Sequence, residues 1–291
     1  MPAQPVVRSF WDEATGSWQY VVHDPRTMQG AIIDPVWNYD PLAAAVSTES
    51  ADAITAYVRE TGIEIAWVLD THPHADHFSA APILAERFGA PTGIGAEVTR
   101  VQRLWQEIYG LSDDFPTDGR QWSRLFEDDE TFMLGEIPVR VLFTPGHTLA
   151  SIAYVVGDAV FAHDTLMMPD SGTSRADFPG GDARALWRSI QRILDLAPDT
   201  RVFVGHDYAP EGREPRCEST VAEQLRANIH LADGPDEAAY VERREARDAT
   251  LPLPKLMLAA LQVNIRGGRL PEPDDEGRVF LRIPVGRFTP R

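Results

Sequence analysis

Four separate hydrophobic stretches in this chain each run into residues of metal-ligand type, and this recurrence constrains the fold more than any other feature. Residues 63–69 lead into Thr71-His72-Pro73-His74-Ala75-Asp76-His77, and residues 139–143 into Thr144-Pro145-Gly146-His147-Thr148. Residues 159–161 lead to His163-Asp164-Thr165, and residues 200–204 to Gly205-His206-Asp207-Tyr208. Strand ends that deliver imidazoles and carboxylates to one edge of a sheet build a metal site, because the ligands converge from different elements and leave a coordination position open. Six of the eight histidines lie in these segments, whereas His23 and His230 stand apart and read as polar or capping residues.

The rest of the chain limits what such a site can serve. At 291 residues and 43% hydrophobic content the chain can bury a large core. No apolar run approaches the roughly 20 residues that cross a bilayer, and the N-terminus shows no long apolar signal segment, so a cytoplasmic location is the expectation. The single cysteine, Cys217, cannot form an internal disulfide and leaves nitrogen and oxygen to hold a metal; it is assigned no role. A formal charge of −17 without a basic stripe argues against nucleic acid as a partner. Lys255 is the sole lysine among the basic residues.

Periodicity places antiparallel strands in residues 6–33, a helix over 50–61 stopped by Gly62, and a strand over 63–69. Helical spacing follows at 79–88 and 97–109, a short strand at 92–94, and a polar loop at 110–129. Strands return at 139–143, 152–156, 159–161 and 200–204, around an amphipathic helix at 182–196 that presents Leu186, Ile190, Ile193 and Leu194 on one face. From Cys217 to Arg247 the pattern is helical, and the proline-punctuated tail that follows has no core of its own. No repeat or linker divides the chain. Residues 1–291 are read as one domain, with 217–291 a helical and tail extension packed on it.

In an extended segment, residues two apart face the same way, so His72 and His74 can address one ion while Asp76 and His77 reach a second position. His147 and His206 add imidazoles, and Asp164 a carboxylate able to bind one metal or bridge two. Spacing alone accepts either a mononuclear or a dinuclear centre.

Thr-His-x-His-x-Asp-His after a strand, then Pro-Gly-His-Thr, Asp-Thr and Gly-His-Asp, resembles the metallo-β-lactamase superfamily across residues 34–208. The resemblance implies an α/β fold, a four-layer αβ/βα sandwich with its metals at one edge. The family usually has glycine before the bridging aspartate; here His163 stands there, and it is left unassigned. Asp164 and His206 are only 42 positions apart, too few for the inserted domain of nucleic-acid-processing members. What remains resembles the glutathione-linked group of glyoxalase II-like thioesterases and persulfide dioxygenases. His74 to Pro82, Gly172 to Gly181 and the tail from Leu253 to Asn264 are similar to the persulfide dioxygenase branch and to Blh-type sequences.

That second resemblance implies one iron(II) per chain held by His72, His147 and Asp164, with His74, Asp76, His77 and His206 orienting ligands and waters from behind. Two imidazoles and a carboxylate leave positions for substrate and dioxygen. The implied reaction converts glutathione persulfide and dioxygen to sulfite and glutathione. Arg175, Tyr208 and, more weakly, Lys255 are the expected contacts to the glutathione carboxylates, although an ion pair with Asp177 accounts equally well for Arg175. The alternative is a hydrolase of glutathione thioesters with two zinc or mixed metals, in which metal-bound hydroxide attacks a carbonyl. Relatives further suggest a homodimer.

Overall fold

The computed structural model describes residues 4–288. Strands β1 (Val6–Asp12), β2 (Ser17–His23) and β3 (Gln29–Ile33) form the expected antiparallel run. Short β4 (Val36–Asp40) and β5 (Ala45–Ser47) precede α1 (Glu49–Thr61), after which β6 (Glu64–Leu69) lies parallel to β3. The elements β7 (Phe78–Ser79), α2 (Ala81–Phe88), β8 (Thr92–Gly95), α3 (Val98–Tyr109) and β9 (Arg124–Phe126) complete the first half. Its six-stranded sheet has the order β1-β2-β3-β6-β8-β9.

The second half contains β10 (Thr131–Leu134), β11 (Ile137–Phe143), β12 (Ile152–Val156), β13 (Ala159–His163), α4 (Ala183–Leu194), β14 (Arg201–Val204) and β15 (Glu218–Thr220). Its strands form a second six-stranded sheet in chain order. Three helices follow: α5 (Val221–Ala227), α6 (Glu237–Asp248) and α7 (Met257–Asn264).

The layering follows from strand alternation, which sends successive side chains to opposite faces. In β2, Tyr20 and Val22 point into the core between the sheets while Val21 points toward α1 and α2; in β13, Ala159 and Phe161 face that core while Val160 and Ala162 face α4. Both sheets are therefore apolar on both faces and need helices outside. Leu186, Ile190, Ile193 and Leu194 are all buried on the second sheet, as their spacing predicted, and Asp182 caps α4 by accepting from the Ala185 amide at 2.6 Å. The result is the four-layer αβ/βα sandwich of the metallo-β-lactamase fold.

Two segments differ from the periodicity reading. The loop at 110–129 contains β9, which carries buried Phe126 to the edge of the first sheet. The stretch after Cys217 begins as a strand, β15, antiparallel to β14, before turning helical. In both cases an open sheet edge recruited a segment too short to show its own alternation. The tail is more integrated than its prolines suggest: α7 packs with α3 around Trp105, Leu261 and Ile265 beneath the histidine-rich loop. Among the described residues no helix is long and apolar enough to cross a membrane.

Candidate metal centre

The four ligand-bearing segments all leave the same edge of the sandwich. The loop after β6 carries His72 to His77, and the ends of β11, β13 and β14 carry His147, Asp164 and His206. Backbone contacts stitch the two halves together there: the Trp18 amide donates to the Gly205 carbonyl at 2.8 Å, and the Ile152 amide to Thr71 at 3.0 Å. The Pro145-Gly146 turn before His147 is pressed against α4. A Cβ on Gly146, at φ +134°, would fall 2.2 Å from the Leu186 backbone nitrogen, so only glycine fits.

Three imidazoles converge on one carboxylate oxygen. The Nε2 atoms of His72, His147 and His206 lie 3.6, 3.4 and 3.4 Å from Asp164 Oδ2. Ligand atoms of His72, His147 and Asp164 fall within 4.8 Å of one another, as do those of His74, Asp76 and His77. Asp76 Oδ2 stands beside His206 Nε2 at 3.3 Å, His77 Nδ1 at 2.8 Å and the Ser17 hydroxyl at 3.1 Å.

The far side of each ring fixes which nitrogen faces the cluster. His147 Nδ1 donates to the Arg175 carbonyl at 2.8 Å and His206 Nδ1 to the Gly16 carbonyl at 2.9 Å, so in their neutral forms both present Nε2 as a lone pair. His72 Nε2, His74 Nδ1 and His77 Nε2 are buried without a hydrogen-bond partner. Orphaned nitrogens at a convergence of carboxylates are costly unless a cation completes them, and the donor set fits a metal.

The charge states agree. Burial pushes the imidazoles of His72 and His147 down and that of His74 to about 4, so near neutral pH they are uncharged and able to ligate. Burial alone would raise the Asp164 carboxyl, but His206 and His163 hold it well below its ordinary value. His206 departs from this pattern: the lowering by burial is outweighed by Asp164 and Asp76, which raise it well above its ordinary value, so without a cation between those carboxylates it holds a proton.

The match with known proteins settles the lineage: residues 14–206 match the metallo-beta-lactamase superfamily. The chain belongs to that superfamily. A "Beta-lactamase hydrolase-like protein" of Xylella fastidiosa is 60% identical over 281 residues, 97% of this chain but only 65% of the relative, so the chain spans less than two thirds of that protein. "Glyoxylase B2" of Dictyostelium discoideum is 44% identical over 276 residues, 94% of each chain. Bovine "Persulfide dioxygenase ETHE1, mitochondrial" is 23% identical over 269 residues, 91% of this chain and 90% of the relative. Among solved structures, ETHE1 from Myxococcus xanthus aligns with TM-score 0.71 and 29% identity, covering 91% of this chain and all of that one.

Within this metallo-beta-lactamase frame, several site residues escaped the sequence reading. Asp34, wholly buried, accepts from the Thr71 amide at 2.7 Å and the Thr71 hydroxyl at 2.8 Å, and lies 3.0 Å from His74 Nε2. Its place at a strand end before proline was the only local signal. Asn264 of α7 donates its side-chain amide to the carbonyls of His74 and His77, both at 2.7 Å, and accepts from the Ser79 amide at 2.8 Å. Nothing local marks it. His163 adopts φ +38°, which accounts for glycine being usual at that position of the family pattern.

A cavity of about 600 Å³ opens on the metal edge at His147, Asp164 and His206. Arg175, Tyr208 and Lys255 line it, together with Arg244 and Arg247 of α6, which the sequence reading passed over. The Arg175 guanidinium is largely committed: it donates to Asp177 at 2.7 and 3.0 Å and to the Pro252 carbonyl at 2.7 Å, and lies over the Phe178 ring. Tyr208 is 68% exposed and stacks parallel on the His206 ring. Tyr208 and Lys255 also border a second cavity, of about 800 Å³, whose walls include Asp12, Asp40, Glu49 and Asp76.

Proposed function

We propose that the chain is an iron-dependent persulfide dioxygenase: glutathione persulfide, dioxygen and water become glutathione and sulfite, with release of two protons. The observation that carries this reading is the likeness to ETHE1 of Myxococcus xanthus over the whole of that protein, at 29% identity. The donor atoms themselves accept one ion or two, because His72 Nε2 in one group and His74 Nδ1 and His77 Nε2 in the other are all without a partner. Bound at His72, His147 and Asp164, iron(II) would supply the oxygen chemistry with positions left for both reactants.

The chain's own residues do the rest. The Arg175 carbonyl keeps His147 in the tautomer that ligates, and Asp34 holds the His72 loop through Thr71. Arg247 and Lys255 bring exposed positive charge to the cavity of a strongly acidic protein, which suits the two carboxylates of a glutathione group, whereas Arg244 is committed to Asp248 at 2.6 Å and to the Thr173 carbonyl. Tyr208 offers a phenol at the mouth. Phe178 and Met167 line the cavity with apolar surface near the centre, which limits water beside a reactive sulfur species.

A second reading is a dinuclear glyoxalase II-like hydrolase of glutathione thioesters. It is favoured by the unpartnered His77 Nε2, which leaves a second donor set able to take an ion, and by the Dictyostelium relative's name. Anaerobic purification, metal analysis and parallel assays separate the two. About one iron per chain with oxygen uptake on glutathione persulfide supports the dioxygenase; about two metals with lactoyl-glutathione hydrolysis and no uptake supports the hydrolase.

A further inference from the structure

Asp34 follows the end of β3 and His163 ends β13, so the two residues stand on the facing edges of different sheets. The His163 ring lies between two carboxylates. Its Nε2 is 3.3 Å from Asp34 Oδ2 and its Nδ1 is 3.2 Å from Asp164 Oδ1, close packing and charge without hydrogen-bond alignment at either nitrogen. Because Asp34 also meets His74 Nε2 at 3.0 Å, a buried series runs from His74 through Asp34 and His163 to Asp164, joining the first ligand loop to the carboxylate of the second sheet.

Two features show that the fold is arranged around this ring. Asp34 and His163 both occupy the left-handed region, at φ +50° and +38°, where a non-glycine residue is held only by its surroundings. Opposite the ring stands Gly205. A Cβ there would fall 2.3 Å from His163 Cε1 and Nδ1 and 2.6 Å from Asp164 Oδ1, so the space for the imidazole exists because residue 205 lacks a side chain.

We infer that His163 is a positioning residue: wedged between Asp34 and Asp164 without a hydrogen bond to either, its ring fills the space against Oδ1 of Asp164 so that Oδ2 alone faces His72, His147 and His206. A carboxylate left free to swing can bind an ion through both oxygens and fill a further position. Held through one face, it binds through one oxygen and leaves that position open. The role concerns geometry of the centre and holds whether the centre turns over persulfides or thioesters.

The test uses cobalt(II) as the probe, without substrate. Metal-free wild type, His163→Gly and His163→Ala are titrated with cobalt(II) against a chelator, with folding checked by circular dichroism. Glycine suits the backbone at 163 and removes the ring; alanine removes the ring at a modest backbone cost. The expected result is cobalt binding about 10–100-fold weaker in each variant, with weaker visible absorption bands because the freed Oδ1 raises the coordination number. Wild-type affinity in a folded variant overturns the inference, as does weaker binding with bands of wild-type intensity, which would mean general loosening. If His163→Gly does not fold, His163→Ala is judged by the same two readouts.

Discussion

The side-chain amide of Asn264 lies 2.7 Å from the carbonyl oxygen of His74, joining residues 190 positions apart. The same amide holds the His77 carbonyl, so one side chain of α7 clamps the loop that bears four of the candidate site residues.

Asn264→Ala leaves two buried carbonyls and the Ser79 amide without their partner. Each unsatisfied buried group costs about 1–3 kcal/mol. Urea denaturation should therefore show a loss of at least about 2 kcal/mol, and the purified variant should retain less metal. Asn264→Asp keeps an acceptor for Ser79 but turns a carboxylate toward two carbonyl oxygens, so it should give no recovery.

The two ligand groups respond differently to truncation if one metal is held. His147→Ala should lower metal affinity well beyond the roughly 10–100-fold typical of outer partners, and activity with it. His77→Ala should still bind about one equivalent, because on the single-metal reading His77 lies outside the set of His72, His147 and Asp164 and acts only from behind. Elemental analysis of both variants after identical dialysis decides this. Equal loss from both would favour the dinuclear reading.

The exposed cations at the cavity predict a split between binding and turnover. Arg247 and Lys255 line it, and the Arg247 guanidinium donates to Thr250 rather than to a ligand residue. Arg247→Met and Lys255→Met should each raise KM for a glutathione substrate about tenfold, equivalent to about 1.4 kcal/mol of binding, with kcat little changed. The effect should shrink at high ionic strength, as screening weakens the contacts of exposed charges.

His230 supplies a pH dependence away from the metal. Burial, then the charges of Arg244 and Arg243, push it from 6.5 to about 4, and its Nδ1 accepts from the Thr173 amide at 2.9 Å. Between those values the unfolded chain binds a proton that the folded protein refuses. Stability from this group is thus present above pH 6.5 and is lost as pH falls toward 4. His230→Gln retains an acceptor without titrating, so urea midpoints measured across that window should slope less steeply in the variant.

Much of the site was written in short runs of sequence. His72, His74, Asp76 and His77 sit within six positions, and His147, Asp164 and His206 each follow a hydrophobic strand, so local spacing placed them at element ends without tertiary information. The alternation in β2 and β13 and the stripe on α4 likewise carried the layered architecture. These features are local because strand and helix periods are set by the backbone itself.

Contact partners distant in sequence were decided only by the folded chain. Asp34, Asn264, Arg244 and Arg247 reach the site or its cavity from β3's end, α7 and α6, and apart from the proline after Asp34 nothing in their neighbouring residues announces it. Arg175 shows the same limit from the other side: the sequence left substrate contact and an ion pair with Asp177 equally open, and the fold brings both Asp177 and the Pro252 carbonyl to it. Ligand type and order are properties of the string. Which oxygen of Asp164 faces the histidines, and which ring holds it there, depends on two sheets meeting at an edge, and that meeting exists only in three dimensions.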